Sequence, residues 1–268
     1  MALLPHTIVV GGHLDSVAAG PGVNDNGSGS ATILELAEVY AAQDREPQNK
    51  LRFMCYGAEE NGLLGSEFYV GSLSEAELDD IELMLNFDML GSPNYVRFVY
   101  DGNNSTFPAG VDGVQPGPPG SGAIEQIFLD YFGAVFGTAS FIGSDPTPFN
   151  GRSDYGPFIL EGIPAGGLFS GAEGSKTAQQ VTDYGGLLDV AYDPCYHQAC
   201  DTFAGTAGGT APGLALRSLD ELSDGVAHTF LLLSRQDFVR NPLEDPEVDV
   251  SAAGLSRGGF ARVELPAA

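Results

Sequence analysis

Three strand-length apolar runs in this chain each give way, within about two residues, to side chains that bind metals or carry protons. Thr7–Gly12 leads to His13, Leu51–Gly57 to Glu59 and Glu60, and Ile81–Phe87 to Asp88. Amphipathic stretches separate the runs, Gly27–Ala41 being the clearest. Strands alternating with helices in this way build a mainly parallel sheet covered on both faces. In such sheets ligands gather at the carboxyl ends of the strands, which is where these polar residues fall. The predicted class is α/β: a three-layer αβα sandwich around a central mixed, mostly parallel sheet.

Further along, the pattern predicts a helix over roughly Gly62–Val70 and a short strand over Tyr95–Tyr100. Residues 101–122, rich in Gly, Pro, Asn and Ser, read as a long loop. Its place after the Asp88 strand suggests that it could cover a site there. Helical spacing returns at Ala123–Val135, a strand follows at Ile163–Phe169, and Leu216–Phe238 reads as a closing helix. The 268 residues suit one large domain, 1–240, followed by a polar tail or linker stub, 241–268. The first strand starts almost at the amino end, which suggests that an amino-terminal segment is missing. A signal peptide is missing too, and no apolar run has transmembrane length.

Eleven basic residues stand against 36 acidic ones, for a formal charge of -25. Such a field disfavours nucleic acid and anionic membrane surfaces as partners, and attracts cations, whether metals or the protonated amino end of a peptide. It also admits calcium as a modulator, and adaptation to salt is the plain alternative reading. Cys55, inside an apolar run, reads as buried and inert. Cys195 and Cys200 flank His197 as a further metal site or as a disulfide. The lack of any other Cys-rich cluster favours the disulfide, and with it an oxidising compartment.

The candidate site is a series rather than a single motif. His13 and His197 offer imidazoles; Asp25, Glu60 and Asp88 offer carboxylates. This mixture of nitrogen and oxygen donors suits zinc, and it tolerates cobalt or manganese. Asp15 follows His13 closely enough to accept its second ring N–H. Asp25, within Gly22-Val23-Asn24-Asp25-Asn26-Gly27, could equally be an ordinary helix N-cap. Glu59 and Glu60 share a strand-to-helix turn and so point different ways, leaving one free as a base. Asp88 interrupts an apolar run, and burying a carboxylate is costly without a partner. Tyr196 offers a phenol beside His197 for a developing oxyanion.

Together with Gly151-Arg152-Ser153-Asp154-Tyr155-Gly156-Pro157-Phe158 and Gly162–Phe169, these pieces resemble the secreted bacterial di-zinc aminopeptidases, leucine aminopeptidase-like. The likeness runs in order over roughly residues 7–238 and is nearest the small secreted actinobacterial type. It implies a phosphorylase/hydrolase-like sheet and two zinc ions per chain. One ion would be held by His13 and Glu60, the other by Asp88 and His197, with Asp25 bridging. It also implies a bridging water as nucleophile, Glu59 as general base, Tyr196 at the oxyanion and Arg152 near the substrate. A cis peptide between Asp25 and Asn26, peptide amino termini beginning with Leu, Phe or Met as substrates, a monomer and secretion complete the expectation. The family's usual amino-terminal helix and strand are lacking here. A glutaminyl cyclase with one zinc, a related carboxypeptidase or deacylase, and a non-catalytic peptidase-like binding domain are the rival readings.

Overall fold

In a computed structural model, which describes residues 6–43, 46–206 and 212–246, six strands form one sheet in the order β2-β1-β3-β6-β4-β5. They are β1 (Thr7–His13), β2 (Lys50–Tyr56), β3 (Ile81–Phe87), β4 (Phe98–Tyr100), β5 (Asp145–Thr147) and β6 (Ala165–Phe169). Strands β2, β1, β3 and β6 run parallel, and β4 turns antiparallel to β6. The sheet is mixed and mostly parallel, as the alternating pattern predicts.

Period-two alternation sends successive strand residues into two cores. Ile8 and Val10 of β1, with Leu83, Leu85 and Phe87 of β3, meet one layer of helices. That layer is α1 (Gly27–Ala41), α4 (Ser121–Phe136) and α7 (Leu216–Ser234), which contribute Ile33, Phe128, Phe132, Val226 and Phe230. Val9 and Met84 face the other way, onto α2 (Leu64–Ser72) and α5 (Tyr155–Leu160), through Val70, Phe158 and Ile159. Two short helices, α3 (Glu75–Asp79) and α6 (Ala178–Tyr184), complete the set. No helix among the described residues is long and apolar enough to cross a membrane.

Three expectations change. Cys55 is a free thiol and exposed, because β2 is an edge strand whose outer positions lack a covering neighbour. No residue of the 101–122 loop lines the cavity at the carboxyl edge where His13, Asp25 and Asp88 gather. The buried Asp101 carboxylate accepts from the amides of Ser105, Thr106 and Phe107 at 3.0, 2.9 and 2.7 Å and turns the loop back on itself. The polar tail begins inside the fold: Leu243 packs on the core, and Asp245 accepts from the amides of Gly120 and Ala123 at the start of α4. Residues beyond 246 lie outside the described part.

One buried ion pair ties α7 to the sheet. Arg97 donates to Glu221 at 2.5 Å and to the Gly143 carbonyl at 2.7 Å. Its guanidinium sits over the Phe136 and Tyr184 rings. Tyr95 Oη and Arg217 Nε donate to the same carboxylate, each at 2.8 Å. Burial raises the proton affinity of Glu221, but these donors outweigh it and hold its pKa below the ordinary value. Its stabilisation is therefore complete above the unfolded-state pKa of about 4.3 and is lost as pH falls through the lower folded value. Replacing one partner of such a pair costs about 3–5 kcal/mol. Urea unfolding of Glu221→Gln should show a deficit of that size at pH 7 that shrinks below about pH 4; an equal deficit at both pH values would contradict the assignment.

Candidate metal centre

Each turn that carries a candidate donor is held by polar side chains rather than by apolar packing alone. Asn26 is the N-cap of α1: its Oδ1 accepts from Gly29 N at 2.9 Å and from Met89 N at 3.0 Å. Its Nδ2 donates to the Phe87 carbonyl at 2.9 Å. One asparagine thus joins the Asp25 turn to the Asp88 turn, and Asp25 itself is not the cap. A Cβ on Gly12 or Gly29 would fall 2.4 or 2.3 Å from that same Phe87 oxygen, so both glycines permit the close approach. The peptide between Asp25 and Asn26 is cis, as the resemblance implies.

The six donors meet at the carboxyl edge of β1, β2 and β3. His13, Glu59 and Asp88 present ligand atoms within 4.8 Å of one another, and so do Asp25, Glu60 and His197. Asp25 faces both groups: Oδ1 is 3.2 Å from His13 Nε2 and Oδ2 is 3.2 Å from His197 Nε2. His13 Nε2 lies 3.3 Å from Asp88 Oδ1, and His197 Nε2 lies 2.9 Å from Glu60 Oε2. The pairing implied by the resemblance is therefore exchanged. β1 lies between β2 and β3, so His13 has the turns after both strands beside it: Asp88 and Glu59 present ligand atoms to it, while Glu60, next in the same turn, faces His197.

Asp15 also acts differently from the expectation. Its backbone carbonyl, not its carboxylate, takes His13 Nδ1 at 3.0 Å. The carboxylate instead accepts from the amides of Glu59 at 3.0 Å and Glu60 at 3.3 Å, fixing the Glu-Glu turn. Ser153 donates to Asp88 Oδ2 at 2.7 Å and accepts from Asn86 Nδ2 at 2.8 Å, which aims that carboxylate. The pattern of alternating runs says nothing of Asn26, Asn86 or Ser153. Ser153 does stand in the Gly-Arg-Ser-Asp stretch, its only signal in the sequence.

The electrostatics ask for cations. Burial, then the Asp88 carboxylate, pushes Glu59 up to about 8. Burial, then Asp25, pushes Glu60 up to about 7. Asp25 is raised as well, chiefly by burial and with Asp88 adding to it. Burial disfavours charge on His13, yet Asp88 and Asp25 outweigh it and hold its pKa well above the ordinary value. Glu60 Oε1 and Asp88 Oδ1 are buried with no hydrogen-bond partner. Burial favours the proton on Asp88 too, but the His13 imidazole and Ser153 outweigh it and hold Asp88 below the ordinary value. So many buried carboxylates around two imidazoles fit a pair of divalent cations. The donor set is of the kind that zinc accepts.

A small cavity of about 70 Å³, open to solvent, lies over these groups. Met89, Tyr100, Pro148 and Phe169 contribute apolar lining, and Arg152, Tyr196 and His197 contribute polar lining. Tyr196 stacks on His197 with centroids 3.8 Å apart. Arg152 donates to Tyr196 Oη at 3.2 Å and to the Glu173 carboxylate at 2.7 Å. Cys195 and Cys200 form a disulfide that closes the His197 loop.

An α/β sheet with a histidine-and-carboxylate centre at its carboxyl edge defines a metallohydrolase-like class. Within that class the chain belongs to Peptidase family M28, whose sequence model matches residues 3–213. It is 51% identical over 199 residues to an aminopeptidase of Pseudomonas aeruginosa strain UCBPP-PA14, covering 74% of this chain and 35% of that protein. It is 47% identical over 196 residues to a probable leucine aminopeptidase 2 of Aspergillus oryzae, covering 73% of this chain and 37% of that protein. A zinc aminopeptidase from Bacillus subtilis superposes with a TM-score of 0.62 at 27% identity, covering 87% of this chain and 47% of that one. The chain spans little more than a third of the length of these sequence relatives.

Losing the Asp15 carboxylate leaves two amides of the Glu59–Glu60 turn without an acceptor, at a cost of about 1–3 kcal/mol. Asp15→Ala should speed hydrogen exchange at the Glu59 and Glu60 amides at least tenfold; unchanged exchange would show that the turn holds itself.

Proposed function

We propose that residues up to about 240 form the catalytic unit of a two-metal aminopeptidase, which hydrolyses the bond after a free amino-terminal residue. The observation that carries this reading is the division of six donors into two facing groups with Asp25 between them. That division supports a two-ion centre over the one-ion centre of a cyclase, and retention of every donor argues against a non-catalytic scaffold. Relatives named as aminopeptidases support peptide amino termini as the substrate.

His13, Asp88 and Asp25 would hold one ion, and Glu60, His197 and Asp25 the other. Bound there, two zinc ions would supply Lewis-acid polarisation and a lower pKa for water at the centre. Glu59, largely buried beside the first group, takes the proton of the attacking water and returns it to the leaving amine. Arg152 donates to Tyr196 Oη, which leaves the phenol's own hydrogen free to meet the developing oxyanion. The apolar lining from Met89, Tyr100, Pro148 and Phe169 receives the first side chain, which favours Leu, Phe or Met. The carboxylates around it favour a protonated α-amine. The disulfide and the acidic composition suit a secreted protein, and the same acidity admits calcium as a modulator.

Glu59→Gln keeps the shape and the donors but removes the base. With zinc content unchanged, it should lower kcat on leucine p-nitroanilide about 10²–10⁴-fold. Turnover within a factor of two of the wild type at full zinc content would remove Glu59 from that role.

A further inference from the structure

Three consecutive backbone amides, those of Val23, Asn24 and Asp25, all donate to one residue in the loop that carries His197. Val23 N reaches the Asp201 carbonyl at 3.3 Å. Asn24 N reaches Asp201 Oδ1 at 2.8 Å and Asp25 N reaches Oδ2 at 3.1 Å. Asp201 is buried, and it directly follows Cys200, which closes the His197 loop. A second set of bonds runs alongside. Asn24 Nδ2 donates to Asp193 Oδ2 at 2.7 Å, and Asp193 Oδ1 accepts from Cys195 N at 2.8 Å. Asn24 Oδ1 accepts from Gly91 N at 2.9 Å, three residues past Asp88.

We propose that Asp201 is a positioning residue for both metal positions at once, because it locks the His197 loop onto the backbone of the shared ligand Asp25. The inference rests on the two-metal reading above. In an Asp201→Asn variant the neutral side chain could still serve Asn24 N through its oxygen, but it would turn an N–H₂ group toward the Asp25 amide. Only a carboxylate accepts both, and charge-assisted bonds of this kind are the stronger ones. Yet it places a further negative charge beside an already acidic centre. That charge is a burden to the metal-free protein and a benefit to the loaded one, which distinguishes a metal-positioning role from ordinary loop bracing. Since Asp25 serves both donor groups, disturbing its backbone weakens both ions together.

Zinc competition against a chromophoric chelator tests this on the full chain, for the wild type, Asp201→Asn and Asp201→Ala, beside thermal unfolding of the zinc-free proteins. The wild type should take up two zinc ions. Asp201→Asn should lose about 10–100-fold in affinity for both, as outer partners of metal ligands do. Its zinc-free unfolding midpoint should fall far less than its zinc affinity does, because relief of the buried negative charge offsets the Asp25 amide left without an acceptor. Asp201→Ala should bind more weakly still; if it fails to fold, the Asp201→Asn variant carries the test alone. Wild-type affinity in Asp201→Asn overturns the proposal, as does a loss confined to one ion. A zinc-free midpoint that falls in step with affinity overturns it too, making Asp201 a brace only. A wild-type chain that binds no zinc would overturn the two-metal reading, and this inference with it.

Discussion

The Asp25 carboxylate, reached by His13 on one oxygen and by His197 on the other, is the constraint around which the rest is arranged. It is 5% exposed, and burial with Asp88 nearby raises its pKa, so its charged form is unfavourable unless cations arrive. The fold meets this cost by rigidity. Asn26 pins the turn to β3, Asp201 grips its amides, and Gly12 and Gly29 let the backbone close in. The hydrogen bonds satisfy buried amides while they fix the geometry, and two cores of apolar side chains hold the sheet that carries the turns.

The sheet order turns this local design into a site. β1 lies between β2 and β3, and at its carboxyl end His13 meets Asp88, just past β3. The Glu59–Glu60 turn follows the edge strand β2, and its Glu60 meets the His197 loop at 2.9 Å. Arg152 and Tyr196 join through a hydrogen bond although 44 residues separate them, and this closes the polar lining of the cavity. The chain order of the donors and their spatial pairing are therefore different things.

That difference explains what the sequence makes legible. The long periodic segments are plain: Gly27–Ala41 and Ile81–Phe87 match their predicted bounds. The candidate donors His13, Glu60 and Asp88 are legible because each follows a strand-length apolar run, whereas Asp25 and His197 stand in loops and are legible only through the series. Their pairing is not, since neighbouring residues of one turn, Glu59 and Glu60, face different groups, and chain order carries no record of that. Cys55 misled because an apolar run reads alike in an edge strand and a central one. Helices α3 and α6 are short, yet the Ser74–Glu77 and Thr177–Gln180 capping boxes mark both. The roles of Ser153 and Asp201 are long-range hydrogen bonds from side chains that look like ordinary loop residues.

Anomalous diffraction at the zinc edge, from crystals soaked with zinc, addresses the shared carboxylate most directly. The account predicts two peaks roughly 3.5–4 Å apart. One should lie between His13 and Asp88, the other between Glu60 and His197, with an Asp25 oxygen on each. A single peak, or an ion shared by His13 and Glu60, would contradict it.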